Sequence, residues 1–200
     1  MGTLGELRLA VDDLVVYASH GVGRVAIRQP ETVVLEFAEG SLSVTLPIER
    51  ARECVRPVST EVEIASVGRT LGGAHAVSQE NWQRRLKTAR GKVTGGEAVG
   101  LAEVIRDASR RDDRAPARKE PGRLSLTEQQ LYLKARKLLA GEIGASRGVD
   151  ASAADAWIGD QLARNGDREP SREMRAGATS VAPIETTCRP SGRRARRRSH

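Results

Sequence analysis

Aromatic side chains are scarce: one Phe, two Tyr and two Trp, 2% of 200 residues. The core must therefore be aliphatic. Cysteine is nearly absent. Cys54 and Cys188 stand far apart, which reads as two free thiols of a cytosolic protein and not as a disulfide framework. The three histidines and two cysteines show no metal-ligand spacing, so neither a metal nor a cofactor is expected. Gly95-Gly96 lacks the Gly-Lys-Ser/Thr ending of a phosphate loop. His20 lies among turn glycines, where a structural or solvent-exposed role is usual. No Ser/His/Asp or Cys/His arrangement is legible, and these absences argue against an enzyme. No apolar run approaches the ~20 residues of a membrane span. The first residues show no basic region followed by an apolar one, so neither a membrane anchor nor a secretory signal is expected. No heptad run is evident, and a cytoplasmic monomer is the expectation.

Acids are missing where they would matter most. The net charge is +7, yet residues 165–200 hold nine arginines against four acids, while residues 1–58 hold six against eight. The overall basicity thus reports mostly the C-terminal segment and says little about a folded body. The local pattern is more informative. Asn81-Trp82-Gln83-Arg84-Arg85-Leu86-Lys87-Thr88-Ala89-Arg90-Gly91-Lys92 carries five cations and no carboxylate, with a tryptophan at its head. Phosphate backbones reward one-sign charge of this kind. A flat apolar ring beside it can pack on sugars or wedge against an unstacked base step.

Residues 1–57 read as a compact β unit. Leu14-Val15-Val16-Tyr17 is a short apolar strand. His20-Gly21-Val22-Gly23 supplies turn chemistry, and Val25 and Ile27 alternate with Arg24, Ala26 and Arg28. Thr32 to Phe37 is β-branched and apolar. Leu42, Val44 and Leu46 alternate with polar residues until Pro47. Four or five short strands joined by tight turns predict a small SH3-like or Tudor-like barrel. Residues 58–164 read as an all-α domain, making the class α+β. Thr60 with Glu63 and Ser125 with Glu128 have capping-box spacing. The run around Trp82 forms a second helix. Glu97 to Arg111 forms a third, with Val99, Ala102 and Ile105 on one face. Leu131, Ala135, Leu138, Leu139 and Glu142-Ile143 form the stripe of a fourth, and Ala154, Trp157, Ile158 and Leu162 mark the last, with Trp157 in the core. Residues 112–123 read as a loop, Arg110-Arg111 as paired locally with Asp112-Asp113, and residues 165–200 as a disordered Arg-rich tail.

The order of these pieces resembles the CarD family of bacterial transcription regulators over roughly residues 11–164. In the β unit the likeness is carried by Asp13 to Tyr17, His20 to Gly23, Val33-Val34-Leu35 and Leu46-Pro47. In the helical part it is carried by Asn81 to Lys87, Ala102 to Asp107, Arg110-Arg111-Asp112, and Leu124-Ser125 through Arg136.

The resemblance implies a barrel that docks on the β subunit of RNA polymerase, with an edge strand as the docking element. It implies a helical domain that touches promoter DNA, without reading sequence, at the upstream edge of the melted region. Trp82 matches the family's tryptophan, which wedges into the minor groove and opposes bubble closure. Arg84, Arg85 and Lys87 match the basic residues beside it, and Arg90 extends the run. Arg28 is the expected polymerase contact of the barrel. Thr45 stands where some members carry arginine, and Gln129 where members often carry a basic residue. Two alternatives stay open: a polymerase-binding module without DNA engagement, and a nonspecific basic nucleic-acid-binding protein acting through its tail.

Overall fold

The computed structural model describes residues 9–18, 20–37, 42–74, 80–113 and 124–164; the expected tail, Cys188 and most of the expected loop at 112–123 lie outside them. Five antiparallel strands come first: β1 (Leu14–Tyr17), β2 (Gly21–Arg28), β3 (Thr32–Phe37), β4 (Leu42–Pro47) and β5 (Val55–Pro57), in the spatial order β4-β3-β2-β1-β5. A short helix, α1 (Ile48–Cys54), separates β4 from β5. Helices α2 (Glu61–Gly72), α3 (Trp82–Gly95), α4 (Ala98–Asp113), α5 (Leu126–Arg147) and α6 (Ala151–Ala163) follow. The class is α+β.

The sheet does not close into the expected barrel. Its two ends, β4 and β5, are not paired with each other. Between them lies α1, a helix that the strand pattern of the sequence does not predict. Pro47, at φ −57° and ψ 142°, turns the chain out of β4 into a helix whose Ala51 is completely buried under the sheet.

Two local patterns also differ from simple alternation. β2 begins at Gly21, so Val22 and Gly23 belong to the strand and the turn is only Tyr17 to His20, closed by His20 N–H donating to the Tyr17 carbonyl at 2.9 Å. A bulge between Val25 and Ile27 then breaks the register. The extra residue flips the strand, so Val25 is fully buried and Ile27 stands half exposed on the outer face. In α4 the inward face is Leu101, Ala102, Ile105 and Ala108, while Val99 faces outward.

The cores are largely aliphatic, as the composition demands, with Phe37 the one aromatic among the buried core residues described. Val15, Val25, Val33, Leu35, Phe37, Ala51 and Val55 fill the concave side of the sheet. Ile64, Val67, Leu71, Leu101, Ile105, Leu139, Ile143 and Ile158 are among the residues that fill the helical core. Trp157 packs against that second core, its ring lying over Gly68 and under the Arg147 guanidinium, 4.6 Å from the ring centroid. The two capping boxes are formed as the sequence predicts, Thr60 with Glu63 on α2 and Ser125 with Glu128 on α5.

Sheet and helices belong to one compact unit. Arg56, on β5, donates to both carboxylate oxygens of Glu142 on α5, at 2.5 and 2.8 Å, and to the Gly96 carbonyl at 2.6 Å. The Ser59 hydroxyl donates to the same carboxylate at 2.6 Å, and Ser146 donates to the Ser59 carbonyl at 2.7 Å. Burial opposes the charge on Arg56, but the Glu142 contact outweighs it and holds the guanidinium more basic than usual. Gly96 closes the seam: it adopts φ +68°, and a Cβ there would lie 2.6 Å from Cβ of Ala18.

Candidate nucleic-acid interface

Helix α3 starts at Trp82 because Asn81 caps it, its side-chain oxygen accepting from Gln83 N–H at 2.7 Å. It ends at Gly96 in the left-handed conformation. Leu86, Ala89 and Val93 form its buried line. Trp82 lies one turn before Leu86 on that same line, where a ring would ordinarily be core. It is nevertheless 45% exposed, because α3 begins where the helical core has already ended. The ring is not loose. Its Nε1–H donates at 3.2 Å to the Ser125 hydroxyl, the capping residue of α5.

The five cations of the run separate into two groups. Arg84, Lys87 and Arg90 are exposed, and none forms an ion pair among the described residues. The first turn of α3 carries no acid, so the positive end of the helix dipole adds to the charge of Arg84 there. Lys92, by contrast, pairs with Glu103 at 2.8 Å. Arg85 turns inward. Its side chain is 21% exposed, lies 3.5 Å from the Glu128 carboxylate, and donates to the Glu80 carbonyl. Its Nε is buried with no hydrogen-bond partner among the described residues.

Glu128 joins these pieces. It accepts from the Ser125 backbone N–H at 3.0 Å and from the Ser125 hydroxyl at 2.8 Å. Burial alone would raise its pKa. The Ser125 hydrogen bonds and the nearby Arg85 and Arg111 guanidinium groups prevail and hold it below the usual carboxylate range. Arg111 shows the reverse: burial, aided by Arg85, lowers its pKa. These side chains wall a cleft of about 110 Å³ between α3, α4 and α5. The sequence marks Ser125 and Glu128 as a helix start; their contact with the Trp82 neighbourhood is non-local and carries no sequence signal. Arg110 donates to the Gly73 carbonyl, while the side chains of its expected partners Asp112 and Asp113 lie outside the described residues. Gln129 is exposed on α5.

On the sheet, Arg28 and Thr45 are not brought together. Arg28 pairs with Val33, whose side chain faces the core, and Thr45 pairs with Val34 in the next row. Strand alternation puts the two rows on opposite faces. Thr45 is exposed on β4, the longer of the two free edges, and Arg28 is partly buried at the end of β2. His20 is exposed and stacks parallel on Tyr17 with ring centroids 5.2 Å apart. Among the described residues no cluster of three or more His, Cys, Asp or Glu side chains could hold a metal ion. No described helix is long and apolar enough to cross a membrane.

Comparison with known families bears on both halves of the molecule. The family model for the CarD-like/TRCF RID domain matches residues 9–59, and that for the CarD C-terminal domain matches residues 66–159. The chain belongs to the CarD family. The RID match covers every strand and α1, ending just before α2, and the C-terminal match covers α3 with Trp82 and its cations. Membership makes this CarD-family protein a transcription regulator that interacts with RNA polymerase, through domains that are not enzymatic.

Proposed function

We propose that this CarD-family protein docks its sheet on the polymerase β subunit and places Trp82 as a minor-groove wedge at the upstream edge of the promoter bubble. The half-exposed Trp82 ring, followed on the same helix by three exposed cations that form no ion pair among the described residues, carries this reading. Arg84, Lys87 and Arg90 position the helix on phosphates without reading sequence. Inserting a ring costs a few kcal/mol of unstacking per step, so it is favoured where the duplex is already distorted. Binding that prefers melted DNA stabilises the open complex only by its differential affinity for that state. The β4 edge is the docking element, because β5 is only three residues long and ends in proline. The protein acts in this scheme as a cytoplasmic monomer.

The test is the lifetime of open complexes formed by the cognate polymerase on a promoter that melts unstably. The wild-type chain, Trp82→Ala and a truncation after Arg164 are compared. A lengthened lifetime that requires Trp82 and survives truncation is the expected result. Polymerase binding without any change in lifetime sinks the wedge and leaves an interaction module. An effect that vanishes with residues 165–200 leaves a nonspecific basic arm.

A further inference from the structure

Arg85 sits in the middle of the basic run and shares its charge, yet its geometry differs from that of its neighbours. Arg84 and Lys87 face solvent, whereas the Arg85 side chain is only 21% exposed and turns toward Glu128 on α5. One of its nitrogens donates to the Glu80 carbonyl just before the helix, and the other faces Glu128. Glu128 receives the Ser125 hydroxyl hydrogen, and that hydroxyl oxygen accepts from the Trp82 indole N–H. An unbroken chain of polar contacts therefore runs from Arg85 through Glu128 and Ser125 to the edge of the exposed ring. It crosses from α3 to α5 and back.

We propose that Arg85, Glu128 and Ser125 are positioning residues that fix the orientation of Trp82, and that Arg85 is not one of the phosphate contacts. An exposed indole on the first residue of a helix has few packing constraints of its own. Holding it by its N–H leaves the apolar edge and face turned outward, and it lowers the rotational entropy lost when the ring enters DNA. The guanidinium suits the position because its flat fork serves two acceptors at once, which a lysine ammonium on a flexible stem cannot do in fixed geometry. The value of this device for transcription rests on the wedge reading; the relay itself is a property of the free protein.

The relay is tested on the full-length ¹⁵N-labelled chain without DNA or polymerase. The two indole N–H signals are assigned with Trp157→Phe. The variants are Arg85→Lys, Ser125→Gly and, as control, Arg84→Ala. Ser125→Gly removes the hydroxyl yet keeps most of the N-cap, so α5 stays folded. In Arg85→Lys and Ser125→Gly the Trp82 indole signal shifts, and its order parameter falls from the rigid range near ~0.85 toward the mobile range below ~0.6. Arg84→Ala leaves it unchanged. An indole signal unaffected by both relay variants overturns the proposal.

A second readout separates positioning from phosphate binding: the salt dependence of affinity for a DNA duplex with a short melted bubble. Arg84→Ala reduces the log–log slope by about 0.9. Arg85→Ala weakens binding at every salt concentration with the slope unchanged. A slope reduced by Arg85→Ala as much as by Arg84→Ala makes Arg85 a phosphate contact and also overturns the proposal. Because the indole measurement needs no transcription, failure of the relay is distinguishable from failure of the wedge, which only Trp82→Ala in the open-complex assay reports.

Discussion

Trp82 and Trp157 carry the same ring in opposite settings. Trp157 covers Gly68 and the side of the helical core, while Trp82 overhangs the end of that core. Trp157→Ala is expected to cost about 3 kcal/mol of folding stability, near the lower end for a large ring packed on a core. Trp82→Ala is expected to cost under about 1 kcal/mol. Urea unfolding followed by circular dichroism separates the two; comparable losses would mean Trp82 is a core residue after all. Gly96 is the residue where backbone conformation matters most. Gly96→Ala meets both a left-handed φ and the Ala18 side chain. Its cost is expected to exceed the 1–2 kcal/mol or so of the backbone conformation alone, because Ala18 belongs to the segment after β1 and cannot withdraw without moving the sheet. A neutral Gly96→Ala in the same unfolding assay would show that the seam yields.

At the scale of elements, three helix N-termini hold carboxylates at lowered pKa. Glu63 is stabilised by hydrogen bonds from Thr60. Glu128 is held down by Ser125, with help from Arg85 and Arg111, against the opposing effect of burial. Asp150 is held by the Ala153 N–H and Ser152. Each folded pKa lies below its unfolded value. The stabilisation is therefore fully present above the unfolded carboxylate range, about pH 4, and is lost as pH falls through the lower folded values. The melting temperature is expected to stay flat from pH 7 to about 5 and to fall below about 4. Glu128→Gln is expected to flatten part of that acid limb. An acid limb identical to wild type would mean that Glu128 contributes nothing beyond an uncharged cap. Both capping boxes were readable in the sequence because they are local: donor and acceptor lie three residues apart. The bulge at Ala26 and the helix α1 were not. Both are set by what the chain must do around the sheet, not by the residues' own periodicity. A strand of alternating residues gives no sign that one of them will be squeezed out of register.

The whole molecule depends on the Arg56–Glu142 pair at the seam between sheet and helices. Glu142 is almost completely buried, with 1% of its side chain exposed, and accepts from both Arg56 and Ser59. Leaving one charge without its partner there is expected to cost about 3–5 kcal/mol, so Glu142→Ala or Arg56→Ala should be strongly destabilising. Replacing both by apolar residues, as in Arg56→Met with Glu142→Leu, should recover much of the loss. Thermal denaturation of wild type, the two alanine variants, their double alanine variant and the Met/Leu pair tests this. Strict additivity of the two alanine variants would mean the pair is not coupled. For the proposed function the consequence is geometric: if the sheet docks on polymerase and Trp82 meets DNA, the sheet and α3 must move together, and Arg56 also grips the Gly96 carbonyl at the end of α3.

The sequence by itself determined the strands β1 to β4, the capped helices, the aliphatic core and the tryptophan-led basic run. All of these follow from local periodicity, local hydrogen bonding or local charge. It also determined the family likeness, which lies in the order of those pieces. Only the tertiary structure decided which cations are free. Arg84 and Arg85 are neighbours of identical chemistry, and their fates differ because a helix turns them about 100° apart and only one meets the acceptor that α5 brings across. It likewise decided that Trp82 is exposed and held, since the Ser125 hydroxyl that holds its indole N–H comes from chain 43 residues away.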